Sequence, residues 1–160
     1  MKLILTLLSL ATFTSCTTIE TNSHQNVRTT AYTHNESDHI RYGRKTAIGT
    51  TLESSSTTNS AASDWSVYPL GTKFKIEGSS KVYTIDDYGS ALVGTHTIDI
   101  YCPSHKTMRK WGTRHVDIQI IQMGSYSESL ELLRQRMRWR HCRQMAYNIK
   151  NNHNDKLTRS

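Results

Sequence analysis

This sequence predicts a mainly β domain, a compact barrel of six short strands. Three observations predict it. Short runs of alternating or β-branched residues recur between turn-forming stretches, a single brief helical pattern interrupts them, and a chain of 160 residues has room for one modest core. Many short strands favour a closed barrel over a sandwich of longer ones.

Taken in order, residues 27–33 carry the β-branched and aromatic side chains of a first strand, and residues 46–52 read as a second. The polar loop between them holds His34, Glu36, Asp38 and His39. No helical or strand spacing sets these on one face, so the loop reads as solvated and no metal is assigned. Residues 53–63, rich in Ser, Thr, Asn and Ala without periodicity, read as a loop or insertion. The runs 73–77 and 82–86 alternate in character around Gly78-Ser79-Ser80 and form a hairpin. Two more strands, 97–101 and 116–121, flank a short helix that starts from Ser104 as N-cap, buries Met108 and Trp111 three apart, and stops at Gly112.

The C-terminal segment differs in kind. Ser125 with Glu128 three residues later is a capping-box pattern, and Leu130, Leu133, Met137, Met145 and Ile149 recur at near-helical spacing, which predicts one long helix. It carries Arg134, Arg136, Arg138, Arg140 and Arg143. These are either a surface for phospholipid head groups, anionic polymer or an envelope protein, or a solvated face on a helix packed against the barrel.

At the other end, Met1-Lys2 and the apolar run 3–13 have the layout of a secretory signal, too short to span a bilayer. It ends in Phe13-Thr14-Ser15-Cys16, which resembles a lipobox, so Cys16 is the expected lipidation site and residues 17–26 a tether. The expected organisation is a lipoprotein signal over 1–15, a tether over 16–26, the β domain over 27–123, and a basic helix with a polar tail over 124–160. An exported, membrane-anchored protein of the cell envelope follows. The formal charge of +7 suits anionic wall polymers or phospholipid surfaces. Export, and the lack of any zinc-finger, basic-zipper or RNA-recognition pattern, argue against nucleic acid. Cys102 and Cys142 are left as an even pair, either bridged or two small buried hydrophobes.

The residues that carry chemistry begin at Asp64, followed by Pro69-Leu70-Gly71-Thr72 before a strand. Asp87-Tyr88-Gly89-Ser90-Ala91-Leu92-Val93-Gly94, then Ile98-Asp99-Ile100-Tyr101, then Trp111-Gly112 follow in order. This series resembles the three-aspartate (3D) domain, with Thr30-Ala31-Tyr32-Thr33 and Thr46-Ala47-Ile48-Gly49-Thr50 similar to further family segments. Ser90 stands where the family has Gly, Tyr88 where it has Thr, and one extra residue separates Gly94 from Asp99. The resemblance implies a double-psi β-barrel like that of membrane-bound lytic transglycosylase A, with Asp64, Asp87 and Asp99 as the naming aspartates and Asp99 as the catalytic acid.

That activity is cleavage of the bond between N-acetylmuramic acid and N-acetylglucosamine in peptidoglycan glycan strands, leaving a 1,6-anhydro end. One carboxyl suffices, because the attacking hydroxyl belongs to the substrate, whereas ordinary glycoside hydrolysis uses two. Asp99 would protonate the leaving oxygen and then accept the C6 hydroxyl proton. To start protonated Asp99 needs a raised pKa, which burial or a neighbouring carboxylate such as Asp87 can supply, and Asp64 would support the site. Tyr32, Thr33, Gly89 and Ser90 are the expected substrate contacts, and no cofactor is needed. The competing reading is a wall-binding lipoprotein of expansin-like barrel type that binds carbohydrate without turnover, and fold alone does not decide between them.

Overall fold

The computed structural model describes residues 23–37 and 39–154. Residues 1–22, and with them the signal and Cys16, lie outside the described residues, as does Asp38. Six strands, β1 (Ser23–Tyr32), β2 (Thr58–Ala62), β3 (Lys73–Ile76), β4 (Val82–Asp87), β5 (Ile98–Tyr101) and β6 (Arg114–Gln122), close into a ring in the order β1-β5-β2-β4-β3-β6. Three helices accompany them: α1 (His105–Trp111), α2 (Tyr126–Arg134) and α3 (Arg140–Asn152).

Only two of the six neighbour pairs, β1 with β5 and β2 with β4, are parallel. The hairpin of β3 and β4 pairs Lys75 with Val82 across Gly78, whose φ of 76° supplies the left-handed turn residue. Helix α1 begins where expected, with the Ser104 hydroxyl accepting from the Thr107 N–H at 3.2 Å, and ends at Gly112. Met108 and Trp111 are only half-buried; Trp111 packs its ring against the core and donates to the Thr29 hydroxyl.

Four expectations are corrected. The second strand is not 46–52. There Gly49, at φ 83°, turns the chain back on itself, and the backbone bonds are local, Thr46 N–H to Thr50 O and Gly49 N–H to Thr46 O. The strand is β2, inside the segment 53–63 that reads as a loop. Its sequence, Thr-Asn-Ser-Ala-Ala, has little β propensity, but it is paired on both sides and four of its five residues are buried. Small side chains fit there because neighbouring packing, more than intrinsic preference, makes a strand. The first strand starts earlier than 27: residues Ser23 to Asn26, read as tether, pair with β6, and the Asn26 side chain donates to Asp117 at 2.8 Å.

The C-terminal helix is two helices. After Arg134 the chain turns through residues 135–139, with Arg136 N–H bonded to Leu133 O and Trp139 N–H to Arg136 O. The fold-back lets Leu130 and Leu133 of α2 and Cys142, Met145, Ala146 and Ile149 of α3 join one hydrophobic cluster with Phe74, Ile85, Ile98, Ile100 and Ile118 of the sheet. Met137, in the turn, stays 40% exposed. Not all the arginines are solvated. Arg136 is half-buried, its guanidinium donating to Ala47 O at 2.5 Å and lying 5.7 Å from the Tyr88 ring centroid.

The Pro-Leu-Gly-Thr motif has a structural use at this junction. Leu70 N–H donates to the Ser129 hydroxyl, Leu70 O accepts from Ser125 N–H, and the Thr72 hydroxyl accepts from Gly124 N–H. A side chain at position 124 would collide with the backbone of residues 69–72, which is why glycine stands there. Cys102 and Cys142 are both buried free thiols; the latter donates to the Tyr88 hydroxyl at 3.5 Å.

Candidate functional site

Alternation along the strands sorts the sheet into two faces. Ile98 and Ile100 of β5, with Ala61 and Ile85, belong to the main core. Asp99 between them points the other way, as does Ala62. On that second face Tyr32, Leu52, Ala62, Leu92 and Tyr101 form a separate small apolar cluster.

Across this cluster runs a row of registered residues. Thr30 of β1 pairs with Asp99 of β5, Asp99 with Ala62 of β2, and Ala62 with Asp87 of β4. Two interstrand spacings put the Asp99 and Asp87 backbones about 10 Å apart over one small side chain. Asp87 reaches this face through a β-bulge. The pairing steps from Ala61–Ile85 directly to Ala62–Asp87, leaving Asp86 as the extra residue. In a regular strand Asp87 would share the core face of Ile85; the inserted residue turns it outward.

Three carboxyl groups therefore meet around one phenol. Tyr32 donates its hydroxyl to Asp87 Oδ2 at 3.1 Å, and its pKa is raised well above the usual value, first by burial and then by the charges of Asp87, Asp86 and Asp99. Asp87 is 6% exposed, and its Oδ1 accepts from the N–H groups of Ala47 (3.0 Å) and Tyr88 (2.9 Å). Burial pushes its pKa up against the pull of these donors. Asp86 accepts from the Ser60 hydroxyl at 2.7 Å through Oδ2, while Oδ1 is buried without a partner. Burial, with the Asp87 charge adding to it, pushes Asp86 up to about 7. Asp99 is half-buried, and its Oδ1 accepts from the Thr30 hydroxyl at 2.6 Å.

Asp64 has a different role. It is 1% exposed, with Oδ1 bound by the Ser66 N–H and hydroxyl and Oδ2 by Gly94 N–H at 2.7 Å. It caps the turn at 64–68 and pins the loop that joins Asp87 to Asp99, so it acts by positioning. The loop's other end is the single 3-10 turn Ser90–Leu92, which starts after Gly89 and sends Leu92 into the apolar cluster. Ser90 is exposed.

The expected substrate contacts are thus divided. Gly89 and Ser90 stand at a turn beside the acidic row. Thr33 is fully buried, and Tyr32 is buried with its hydroxyl committed to Asp87, so neither offers a free face to a sugar ring. The histidines of the 34–45 loop are not merely solvated: His34 Nδ1 lies 2.8 Å from the Tyr101 hydroxyl, and the His39 ring packs against Tyr32. Sequence reading missed Asp86. The signal was available in the Asp86-Asp87 pair ending a strand whose alternation would otherwise point Asp87 into the core.

Residues 59–122 match the family model of the 3D domain. Two proteins of Bacillus subtilis (strain 168) are similar in sequence: the cell wall-binding protein YocH, 31% identical over 102 residues, and YabE, named for cell wall shaping, 34% identical over 76. These alignments cover 64% and 48% of this chain, but only 34% and 18% of the two relatives. The chain therefore spans about a third and less than a fifth of their lengths. Asp64, Asp87 and Asp99 all lie inside the residues that match the 3D domain.

Proposed function

We propose that this domain acts in the cell envelope on peptidoglycan, binding glycan strands and cleaving the N-acetylmuramic acid to N-acetylglucosamine bond with Asp99 as acid and base. The observation that carries the reading is the row Thr30-Asp99-Ala62-Asp87 on the face away from the main core. Asp99 is the least buried of the three naming aspartates, and Thr30 fixes its orientation. Ala62 beside it is a small side chain in the apolar cluster with Tyr32, Leu52, Leu92 and Tyr101.

The chemistry asks little more. Asp99 protonates the glycosidic oxygen as the bond to C1 breaks; its carboxylate then takes the proton of the C6 hydroxyl as that oxygen closes on C1. Every proton is returned and no water is consumed. Asp86 and Asp87, both held toward the neutral form by burial, stand on the same face as Asp99. The 1,6-anhydro product, the double-psi crossing of the strands, and attachment to a membrane through a lipid on Cys16 belong to the same proposal.

Asp99→Asn tests it. The variant keeps size and cannot carry the proton, so release of 1,6-anhydromuropeptides from purified peptidoglycan should fall about 10²–10⁴-fold while sedimentation with the polymer is retained. Mass spectrometry of the soluble products reads the reaction type, with anhydro ends for transglycosylation and reducing ends for hydrolysis. The second reading, wall binding without turnover, is favoured by the wall-binding name of one relative. Wild-type protein that binds the polymer and releases nothing establishes that reading instead.

A further inference from the structure

We propose that the outward face of α3 docks this protein onto an anionic phospholipid leaflet, independently of any lipid on Cys16 and of the reaction at Asp99. Residues 132–154 contain five arginines and one lysine and no aspartate or glutamate. Since the whole chain has a formal charge of +7, this stretch carries nearly all of the excess.

The cations are arranged as well as abundant. Cys142, Met145, Ala146 and Ile149 face the core, so Arg140, Arg143, Tyr147 and Lys150, at helical spacing, share the opposite side. Together with Met137 and Gln144 they line a shallow surface depression of ≈ 370 Å³. Of its apolar members Ala146 is buried at the floor, while Tyr147 is 63% exposed and Met137 40%. Trp139, also 40% exposed, stands at the head of the helix with the Arg138 guanidinium 4.9 Å over its ring. Arg143 donates to Met137 O (2.7 Å) and Arg138 O (3.1 Å), and so holds the turn that presents these side chains.

Cations alone would fit any polyanion, including a soluble phosphate polymer of the wall. Exposed Trp, Tyr and Met among them fit a leaflet better, because aromatic and apolar groups settle at the level of the head groups while arginine and lysine meet the anionic surface. Among the described residues no helix is long and apolar enough to cross a membrane, so the contact is peripheral.

The test uses the full chain carrying Cys16→Ser, so that no acyl chain contributes, and vesicles of phosphatidylcholine with and without phosphatidylglycerol. Co-sedimentation should require phosphatidylglycerol and weaken as salt rises. R140Q/R143Q/K150Q should reduce the partition coefficient about 100-fold, from roughly 1 kcal/mol per removed charge. Because Arg143 also holds the turn, R140Q/K150Q is the second variant, expected to lose about 10-fold or more with unchanged thermal unfolding. W139A/Y147A should weaken binding at constant charge. Equal binding to neutral and anionic vesicles, or charge variants that bind as wild type, overturns the proposal. So does an unaffected W139A/Y147A with full competition by soluble polyphosphate, which would assign the face to a wall polyanion.

Discussion

The closed sheet and the helical hairpin hold opposite charge in opposite ways. On the sheet, Asp86 and Asp87 are taken out of water beside Tyr32, where burial raises the pKa of both, that of Asp86 to about 7. On the hairpin, four of the five arginines stay exposed, in a stretch from 132 to 154 that contains no aspartate or glutamate. Buried charge is costly and is kept where it alters chemistry; exposed charge is cheap and acts at long range on partners. Yet the two regions are not separate bodies, since Leu130, Leu133, Met145 and Ile149 share one core cluster with the sheet.

That shared core gives the largest expected effect. Met145 is fully buried, and its sulfur accepts from the Trp65 N–H at 3.4 Å, while the Trp65 indole donates to Asp87 O at 2.9 Å. Met145→Ala should therefore lower stability by about 2–5 kcal/mol, read by denaturant unfolding, in a single transition that includes the sheet. Two separate transitions, with the sheet unaffected, would make the hairpin an appendage and break the comparison.

Gly124 sharpens the same point at the junction. A methyl group there meets the carbonyls of Pro69 and Leu70 and the Thr72 nitrogen, all backbone atoms that a rotamer change cannot move aside. Gly124→Ala should cost about 1–3 kcal/mol, the range of an overpacked core, and should loosen amide exchange at Leu70 and Ser125, whose bonds cross the junction. Exchange unchanged at those amides would show that the motif and the helices are not coupled.

Much of this arrangement was legible in the sequence, and the misses have physical causes. The hairpin of β3 and β4, β5, α1 with its caps, and β6 announce themselves by alternation and end signals within their own residues, although β5 and β6 pair with strands far along the chain. Strand β2 did not, since Ser60, Ala61 and Ala62 become a strand only through partners on β4 and β5 far along the chain. The break between α2 and α3 has no Gly or Pro to mark it; it is made by burial on both sides and by Arg136 reaching Ala47. At the site, Asp87 and Asp99 stand in one registered row, while the capping role of Asp64 depends on Gly94, thirty residues away. For Asp86 the sequence offers only the acidic pair at the end of β4, because the bulge itself is a property of the pairing.

Asp86 supplies the smallest effect and the most direct test of how the sheet holds charge. Its folded pKa of about 7 lies above the unfolded value near 4, so between those limits the folded protein binds more protons than the unfolded chain. Stability must then fall as pH rises through this window, by at most about 1.4 kcal/mol per pH unit from this group, and level off above the folded pKa. Solvent screening of a carboxyl that is only partly buried brings the total to about 1–2 kcal/mol. Asp86→Asn removes the charge and keeps the shape and the Ser60 contact, so it should leave the melting temperature at pH 4 nearly unchanged and raise it at pH 8. The opposite slope, a variant less stable at pH 8 than wild type, would mean that Asp86 is held as a carboxylate by a donor the fold supplies, and that the sheet stores negative charge rather than protons.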